Sequence, residues 1–299
     1  MTLRPQTVDA LDGVDPSYVE DLARRAVAED LAGGVDVTST ATVPLELVGT
    51  GAFVPRQDGV VAGLGVALAV LDVVLGDRLE VGLVGRDGRP AVRGVAVLEV
   101  TGPVRLLLTA ERTALNLLCH LSGVATLTRA WVDAVDGTGA RIRDTRKTTP
   151  GLRALEKAAV RAGGGVNHRM SLSDAALVKD NHVVAAGGVA SAFDAVRHAF
   201  PGLPVEVECD TVEQVREVVA AGADLVLLDN MGPDLLREAV ALCRARGVLT
   251  EASGGLTLST ARAVAETGVD YLAVGALTHS APVLDLGLDL DLTTDLRTT

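Results

Sequence analysis

The sequence predicts an α/β protein in which a mixed antiparallel region is followed by a closed or nearly closed barrel of parallel strands. Three observations support the barrel. Six short apolar strands begin at residues 140, 176, 204, 224, 248 and 270, so their starts lie 20 to 36 residues apart. Helical segments or loops separate the strands, as in parallel βαβ units. The strands are rich in valine and leucine, which is typical of strands buried on both faces.

An open doubly wound sheet is the alternative arrangement for such a chain. It usually carries a glycine-rich dinucleotide loop after its first strand, and no G-x-G-x-x-G follows Thr145. The barrel is therefore preferred. Its strands are predicted at 140–145, 176–179, 204–209, 224–229, 248–253 and 270–275, and its helices near 151–164, 189–199, 211–221, 233–246 and 257–267.

The region before residue 110 mixes helical and strand patterns. Residues 16–32 have helical spacing, with a proline in the first turn and two glycines after the last. Residues 48–55 and 92–108 alternate apolar with polar or small residues and are predicted as antiparallel strands. A long helix is then predicted from about 110 to 136. Residues 284–292 place leucine at every second position, so we expect a half-buried strand that returns to the N-terminal sheet.

The composition supports a large apolar core and excludes several classes of protein. The chain has 299 residues, 48% of them hydrophobic, and a net charge of −12 from 27 basic and 39 acidic side chains. Such an apolar content is incompatible with a disordered chain. With one Trp, two Tyr and three Phe, this acidic chain lacks the basic surface and the stacking rings of a nucleic-acid-binding protein.

The chain shows no feature of a secreted or membrane protein. Its first residues, MTLRPQTVDALDGVD, contain no apolar signal segment. Residues 59–76 are apolar, but Asp72 and four glycines interrupt them, so we expect a turn and a buried helix rather than a membrane span. Cys119, Cys209 and Cys243 follow no zinc or disulfide spacing and are interpreted as buried thiols in a reducing compartment. A cytoplasmic location is therefore predicted.

Charged residues and glycines stand at the carboxyl ends of the predicted strands, where the chemistry of α/β barrels is concentrated. Packing does not explain them, because burying an unpaired charge is costly. In chain order they are Arg146, Lys147, Lys179, Glu208, Asp229, Ser253, Gly254, Gly255 and Gly275.

The net charge of the whole chain is negative, but one stretch of the sequence is basic. Residues 141–179 hold nine basic and three acidic side chains, a local charge of 9 − 3 = +6, so the remainder sums to −18. Guanidinium groups match carboxylates and phosphates with two parallel hydrogen bonds. Four of the cations flank strand ends and indicate a ligand with several negative charges: Arg146, Lys147, Arg169 and Lys179.

Three further cations of this stretch are interpreted differently. Arg153, Lys157 and Arg161 have helical spacing, and we expect them on a solvated helix face.

Two late glycine loops indicate a phosphate site. Ser253-Gly254-Gly255 and Gly275 each lie between a strand and a helix, where free backbone N–H groups can bind an anion. Two ordinary tight turns are the alternative.

Glu208 and Asp229 are the acidic members of the set. At a barrel mouth they can bind Mg²⁺, accept hydrogen bonds from ribose or stabilise a developing cation. Ion pairs with Lys179 or Arg146 are the alternative. Lys179 at a strand end also admits an aldolase-like Schiff base, but that chemistry requires a desolvated lysine, and this site is densely charged.

Taken together, these motifs resemble the quinolinate phosphoribosyltransferase family, also called nicotinate-nucleotide pyrophosphorylases. The motifs that carry the resemblance are DTRKTTPG (144–151), GGGVNHRMSLSDAALVKDNH (163–182), EVEC (206–209), LLDNM (227–231), EASGGL (251–256) and VGALTHSA (274–281). It extends to GVDVTSTATVP (34–44), VPRQDGVVAGL (54–64) and ERTALNLLCHLSGVAT (111–126). Ser171 and Ser173 depart from the family pattern beside the basic loop.

The resemblance implies a fold and an assembly. It implies an N-terminal α/β sandwich domain of residues 1–114 with 283–299, and an incomplete α/β barrel of residues 115–282. It also implies a homodimer, or a hexamer made of three such dimers, in which Arg112 reaches across the interface into the partner's site.

The resemblance also implies a reaction. Quinolinate and phosphoribosyl pyrophosphate would give nicotinate mononucleotide, pyrophosphate and CO₂, with Mg²⁺, in NAD biosynthesis. The chain would thus be a pentosyltransferase with Lys147, Glu208 and Asp229 as catalytic residues and no nucleic-acid or membrane partner.

The resemblance assigns the remaining site residues as follows. The carboxylates of quinolinate would be bound by Arg112, Arg146, Lys147 and Arg169, bordered by His168 and Lys179. Ribose and metal would meet Glu208 and Asp229, and the 5′-phosphate would meet Ser253, Gly254, Gly255 and Gly275, with His279 nearby.

Two rival functions remain at this point. A phosphoribosyltransferase for nicotinate or another base is one, although the dense cation cluster favours the second carboxylate of quinolinate. A non-catalytic metabolite-binding barrel is the other, although every charged site residue that the resemblance implies is present.

Overall fold

The structure, a computed structural model, describes residues 3–292. Within these residues the chain divides into two compact units. The first comprises residues 3–127, 154–164 and 281–292, and the second comprises 128–153 and 165–280. The predicted domain boundary between residues 114 and 115 stays a prediction. It lies in the same long helix as the boundary at residue 127, and the end of its segment 283–299 falls outside the described residues.

Helices and strands alternate along most of the chain. The helices are α1 (Pro5–Asp9), α2 (Pro16–Leu31), α3 (Val37–Thr42), α4 (Leu64–Leu75), α5 (Val104–Ala134), α6 (Arg153–Ala162), α7 (Asp180–Ala186), α8 (Val189–Ala199), α9 (Val212–Ala220), α10 (Pro233–Arg244), α11 (Leu258–Ala265) and α12 (Ala276–His279). The strands are β1 (Val48–Pro55), β2 (Gly59–Val60), β3 (Glu80–Val84), β4 (Pro90–Ala91), β5 (Leu98–Pro103), β6 (Arg141–Arg143), β7 (Ala176–Val178), β8 (Val205–Cys209), β9 (Leu225–Asp229), β10 (Leu249–Ser253), β11 (Tyr271–Ala273) and β12 (Leu286–Asp291).

The first unit is an α/β sandwich. Four of its six described strands form an antiparallel sheet in the order β12-β1-β5-β3, and β2 pairs with β4 in a separate two-stranded sheet. Helix α4 packs against β5 as well as against α1 and α2. The expected return of the C-terminal strand is confirmed, since Thr50 pairs with Asp291 and Pro55 with Leu286. Long-range pairing of this kind joins the two ends of the chain in one sheet.

Helix α4 is the buried helix predicted within residues 59–76. Nearly all of its side chains are buried, and the Asp87 carboxylate accepts hydrogen bonds from the N–H groups of Gly63 and Leu64 at its start. Asp72, the one acid in the stretch, is buried but accepts from Arg4 and from the Thr7 hydroxyl. Among residues 3–292, no helix combines the length and apolar character that a membrane span requires.

The strand predicted over residues 92–108 was wrong at its end. Strand β5 covers only Leu98–Pro103, and α5 begins at Val104, earlier than the expected position 110. The reason is the leucine run at 106–108, which has no alternation and consists of good helix formers. The helix therefore starts directly after the proline.

The second unit is an incomplete parallel barrel, as predicted. Its strand order is β6-β11-β10-β9-β8-β7, so strands β7 to β11 neighbour each other in chain order and β6 lies beside the last of them. Such a cyclic order, without reversal at a switch point, is that of a barrel and not of a doubly wound sheet. The sheet stays open because β6 and β7 form its two edges. Helices α8, α9, α10 and α11 pack on these strands.

The interpretation of α6 as a solvated face was wrong for Lys157. Its side chain is fully buried, next to the buried Glu156 on the same helix, whereas Arg161 is exposed as expected. Glu156 lies 2.9 Å from His120 Nε2. Charge spacing along a helix shows which residues share a face but not whether another element covers it.

The three thiols are free, and two of them are buried. Burial raises the pKa of the Cys209 thiol to about 12 and that of Cys243 to about 11. These two side chains therefore behave as small core residues at neutral pH, as the sequence indicated, while Cys119 is partly exposed.

A close approach within the first unit generates a test of the returning C-terminal segment. A Cβ on Gly123 would lie 2.1 Å from the Pro282 carbonyl oxygen. We expect Gly123→Ala to lower the free energy of unfolding by about 1–3 kcal/mol despite the better helix propensity of alanine. Urea unfolding measures this change. Gly34→Ala is the control, because its nearest neighbour would be 3.5 Å away. Equal stabilities of the two variants would contradict the close approach.

Candidate active site

A cavity of about 650 Å³ opens at the carboxyl ends of the barrel strands in the second unit. It gathers all of the predicted site residues that belong to this unit. They are Arg146, Lys147, His168, Arg169, Lys179, Glu208, Asp229, Ser253, Gly254, Gly255, Gly275 and His279.

Strand alternation explains this convergence. Side chains two positions apart on a strand share a face, so Glu206 lies on the same face as Glu208 on β8 and Glu251 on the same face as Ser253 on β10. The register aligns Glu208 with Leu227 and Leu227 with Glu251 on neighbouring strands. The cavity is therefore built in layers, with the strand-end residues above and a second set of charges below.

Two guanidinium groups give the cavity its positive character. The Nε atoms of Arg146 and Arg169 are buried and have no hydrogen-bond partner among the described residues. Burial, followed by the nearby charge of Arg146, lowers the pKa of Arg169. Arg169 Nη1 donates to the Ala175 carbonyl at 2.9 Å, which holds one end of the group in place. Two adjacent cations with unused donors are arranged to receive an anion.

Local contacts hold the main chain around Lys147. Its N–H donates to the Thr145 hydroxyl at 3.0 Å, and its carbonyl accepts from the Thr278 hydroxyl at 2.8 Å. A Cβ at Gly275 would lie 2.9 Å from Lys147 Cδ, so the glycine leaves room for the lysine stem.

The acidic residues form the opposite part of the lining. Lys179 Nζ lies 2.8 Å from Glu208 Oε2, and the lysine side chain is 49% exposed. A half-exposed, ion-paired lysine does not fit the desolvated nucleophile of a Schiff-base enzyme. Asp229 accepts a hydrogen bond from the Asn230 side chain at 2.5 Å.

The glycine loop after β10 is shaped by close contacts. Gly254 has φ +88°, and a Cβ there would lie 2.2 Å from Asn230 Oδ1. One detail of the expectation was wrong: the loop does not expose the N-terminus of a helix, because α11 begins only at Leu258 and its Thr257 cap accepts from the Thr260 N–H. The lining consists of the loop itself, in which Gly255 also has positive φ.

Beneath these residues lies a largely buried group of four, of which only His168 was predicted from the sequence as a site residue. We call Arg143, His168, Glu206 and Glu251 the basal cluster. Arg143 Nη1 lies 2.7 Å from Glu251 Oε2 and 3.9 Å from Glu206 Oε2. Desolvation raises the pKa of each glutamate to about 7, and for Glu251 the charge of Glu206 adds to the effect. The signal that could have found them is parity, since each lies two positions before a predicted site residue.

Arg112 stands apart from the other predicted site residues. It is exposed on α5, in the part of the helix that belongs to the first unit, and the residues that line the cavity all belong to the second unit.

Comparisons with known proteins identify the family. The sequence models of the N-terminal and C-terminal domains of quinolinate phosphoribosyl transferase match residues 36–122 and 124–289. The chain is 57% identical over 273 residues to a nicotinate-nucleotide pyrophosphorylase [carboxylating] of Mycobacterium leprae, covering 90% of this chain and 96% of that protein. The chain belongs to the quinolinate phosphoribosyltransferase family.

Solved structures of this family have the same fold. NadC from Streptococcus pyogenes superposes with a TM-score of 0.88 at 38% identity, covering 93% of this chain and 98% of that one. The nicotinate-nucleotide pyrophosphorylase of Francisella tularensis gives 0.89 at 35% identity, covering 95% and 99%. The predicted combination of sandwich and incomplete barrel is thus that of quinolinate phosphoribosyltransferases.

The two serines that depart from the family pattern take part in an ordered turn. Asp174 accepts hydrogen bonds from the N–H groups of Met170 and Ser171 at 2.6 and 3.0 Å, and the hydroxyls of Ser171 and Ser173 lie 2.9 Å apart. This turn directly follows Arg169, so the serines support the loop that carries the arginine.

The paired guanidinium groups predict stabilisation by multivalent anions. We expect pyrophosphate to raise the melting temperature of the protein. At a hundredfold excess over its dissociation constant, the ligand should add about 2.7 kcal/mol to the free energy of unfolding. Arg169→Gln should lose most of this gain, as differential scanning calorimetry at constant ionic strength will show.

The control for this experiment is Arg237→Gln. Arg237 pairs with Asp234 at 2.7 Å on the surface, so the variant changes the net charge equally outside the cavity. The same gain in both variants would show that the anion binds elsewhere.

Proposed function

We propose that this protein transfers the phosphoribosyl group of phosphoribosyl pyrophosphate to quinolinate, with loss of CO₂, to form nicotinate mononucleotide and pyrophosphate. The observation that carries the proposal is the adjacent pair Arg146 and Arg169, whose buried Nε donors have no partner among the described residues. A dicarboxylate supplies the negative charge and the acceptor geometry that such a pair lacks.

Quinolinate is bound by the basic side of the cavity. Arg146 and Arg169 take its carboxylates, Lys147 supports the charge, and Lys179 and His168 border the ring. Nicotinate carries a single carboxylate and would leave one guanidinium group uncompensated. The number of cations therefore favours quinolinate over nicotinate as substrate.

The phosphoribosyl group lies on the other side of the cavity. Its 5′-phosphate meets the loop of Ser253, Gly254 and Gly255, with Gly275 and His279 beside it. A side chain on Gly254 would collide with Asn230, which agrees with a loop whose backbone must approach its ligand closely.

Glu208 and Asp229 act on the sugar. They accept hydrogen bonds from the ribose hydroxyls and stabilise the positive charge that develops at the anomeric carbon when pyrophosphate departs. Glu208 also pairs with Lys179, whose Nζ lies 2.8 Å from Glu208 Oε2, so each of these two charges compensates the other.

These two carboxylates also fit a Mg²⁺ ion. Magnesium prefers oxygen ligands, keeps several waters, and is often bound through one or two carboxylates together with substrate phosphates. Glu208 and Asp229 would hold it on the side of the glycine loops. When bound there, the metal would neutralise part of the negative charge of the pyrophosphate group.

The protein contributes mainly positioning. The pyridine nitrogen is nucleophilic as it stands, so no residue needs to remove a proton from it. Alignment of two bound reactants lowers the barrier by roughly 7–11 kcal/mol. Once the nitrogen is quaternised, the ring stabilises the carbanion that remains when CO₂ leaves. This carbanion then takes a proton from solvent to form the C–H bond of nicotinate mononucleotide.

The active assembly is a homodimer, or a hexamer built from three such dimers, in which Arg112 of one subunit completes the partner's site. Its exposure on α5 supports this, because an exposed arginine is available for an interface. The enzyme acts in the cytoplasm, where its three free thiols stay reduced.

A direct assay tests the reaction. Quinolinate, phosphoribosyl pyrophosphate and Mg²⁺ should yield CO₂ and pyrophosphate in equal amounts, and Arg146→Met should lower kcat/KM for quinolinate roughly 10- to 100-fold. If the protein turns over nicotinate in preference to quinolinate, it is a nicotinate phosphoribosyltransferase instead. Calorimetric binding without any product would support a non-catalytic barrel instead.

Mixing two inactive variants tests the shared site. Equal amounts of Arg112→Ala and Arg146→Ala protein, exchanged into mixed dimers, should recover about a quarter of the native activity, since each heterodimer contains one intact site. Arg146→Ala mixed with Arg169→Ala is the control and should recover none, because both residues line one subunit's cavity. Confirmed heterodimers without recovery would remove Arg112 from the partner's site.

A further inference from the structure

In the basal cluster, His168 and Glu251 reach the lining of the cavity, whereas Arg143 and Glu206 do not. Arg143, Glu206 and Glu251 have no part in the reaction described above. Glu206 and Glu251 are 4% and 0% exposed, and they lie on β8 and β10 with β9 between them. Their carboxylates and the His168 ring have a spacing that could hold a metal ion. Arg143, however, already lies 2.7 Å from Glu251, so a divalent cation would be repelled by a resident guanidinium. The cluster therefore needs an explanation other than a metal site.

The His168 ring is contacted at both nitrogens. Its Nδ1 accepts a hydrogen bond from the Arg169 backbone N–H at 2.7 Å, so Nδ1 carries no proton. The ring proton must then be on Nε2, which lies 2.8 Å from Glu206 Oε2 and 3.6 Å from Glu251 Oε1. Nε2 and Glu206 Oε2 are close but do not meet hydrogen-bond geometry, so their interaction is an electrostatic contact between the ring N–H and the carboxylate. A carboxylate at this distance favours the Nε2–H tautomer.

The same histidine belongs to a firmly held stretch of main chain. Asp144 accepts from the His168 N–H at 2.7 Å and from the Asn167 side chain at 2.5 Å. With the bond to Nδ1, three successive residues, 167 to 169, are attached to buried groups. The position of the Arg169 backbone thus depends on the orientation and tautomer of the His168 ring.

We propose that Glu206 is a positioning residue for the quinolinate site. It holds His168 as the Nε2–H tautomer, and His168 in turn fixes the main chain from which Arg169 reaches the substrate. Arg143, whose Nη1 lies 3.9 Å from Glu206 Oε2, compensates part of the negative charge of the Glu206 carboxylate. The proposal rests on the proposed function in one respect, that Arg169 binds a carboxylate of quinolinate. In this proposal His168 acts by positioning Arg169, and its ring nitrogens do not bind the substrate.

Two variants of Glu206 separate the polar contact with His168 from the size of the side chain. Glu206→Leu removes the oxygen atom that lies near Nε2, whereas Glu206→Gln keeps a carbonyl oxygen at this place. We expect the leucine variant to raise KM for quinolinate roughly 10- to 100-fold, as loss of an orienting partner typically does, while KM for phosphoribosyl pyrophosphate stays within about twofold. The glutamine variant should restore most of the affinity for quinolinate.

The matched control is Glu156→Leu. Glu156 is also a buried glutamate beside a histidine, His120, but it lies in the first unit and lines no part of the cavity. If loss of a buried carboxylate acts only through stability, this variant will move both KM values as Glu206→Leu does. Equal increases of the two KM values in Glu206→Leu would overturn the positioning role.

Nitrogen-15 NMR of the histidine side chains gives a readout that is independent of activity. The native protein should show His168 as the Nε2–H tautomer at neutral pH, and Glu206→Leu should shift it towards a mixture. A native His168 protonated on Nδ1 would overturn the proposal, even if the leucine variant fails to fold. Failure of the native protein to turn over quinolinate would instead reject the proposed function, and the NMR result would still decide the role of Glu206.

Discussion

Repulsion between like charges is the constraint on which the second unit depends. Arg146 and Arg169 lie close enough for the charge of one to lower the pKa of the other, in surroundings partly removed from water. A protein that places cations this way must compensate them before its ligand arrives, because Coulomb energies rise as the effective dielectric falls. Two glutamates supply this compensation. Glu206 attracts Arg169 and Lys179 electrostatically, and Glu208 pairs with Lys179.

The incomplete barrel makes this arrangement possible. Parallel strands end at one edge, and alternation places every second side chain on the same face. Two layers of charge therefore form at this edge, and the loop between α6 and β7 adds His168 and Arg169 to them. In the lower layer Arg143 compensates part of the charge of the two buried glutamates, while the upper layer keeps donors available to a ligand. Because of this alternation, a shift of one residue in the register of a strand would move its charged side chains to the other face of the sheet. The site therefore depends on the strict pairing of its short strands.

Net charge describes the exterior of this protein and not its site. The chain carries −12 in total but +6 over residues 141–179, and the acidic surplus elsewhere favours solubility. The scarcity of aromatic residues agrees with the same picture. A small, multiply charged ring can be bound by guanidinium forks and lysines, and it requires no aromatic cage.

Local periodicity was sufficient to predict the order of the strands, the returning strand at 286–291 and the strand-end residues from Arg146 to Gly275, because these depend on neighbours in sequence. Burial of Lys157 was not predictable in this way, whereas the early start of α5 at Val104 has a local signal in the leucine run at 106–108. The basal cluster is the clearest case: Arg143 and Glu251 are 108 positions apart, yet their charged atoms lie 2.7 Å from each other. Strands buried on both faces have the same apolar pattern whichever way a glutamate points. Arg143 and Glu251 meet because β6 and β10 both pair with β11, and so the tertiary structure alone decides that Glu206 lies beside His168.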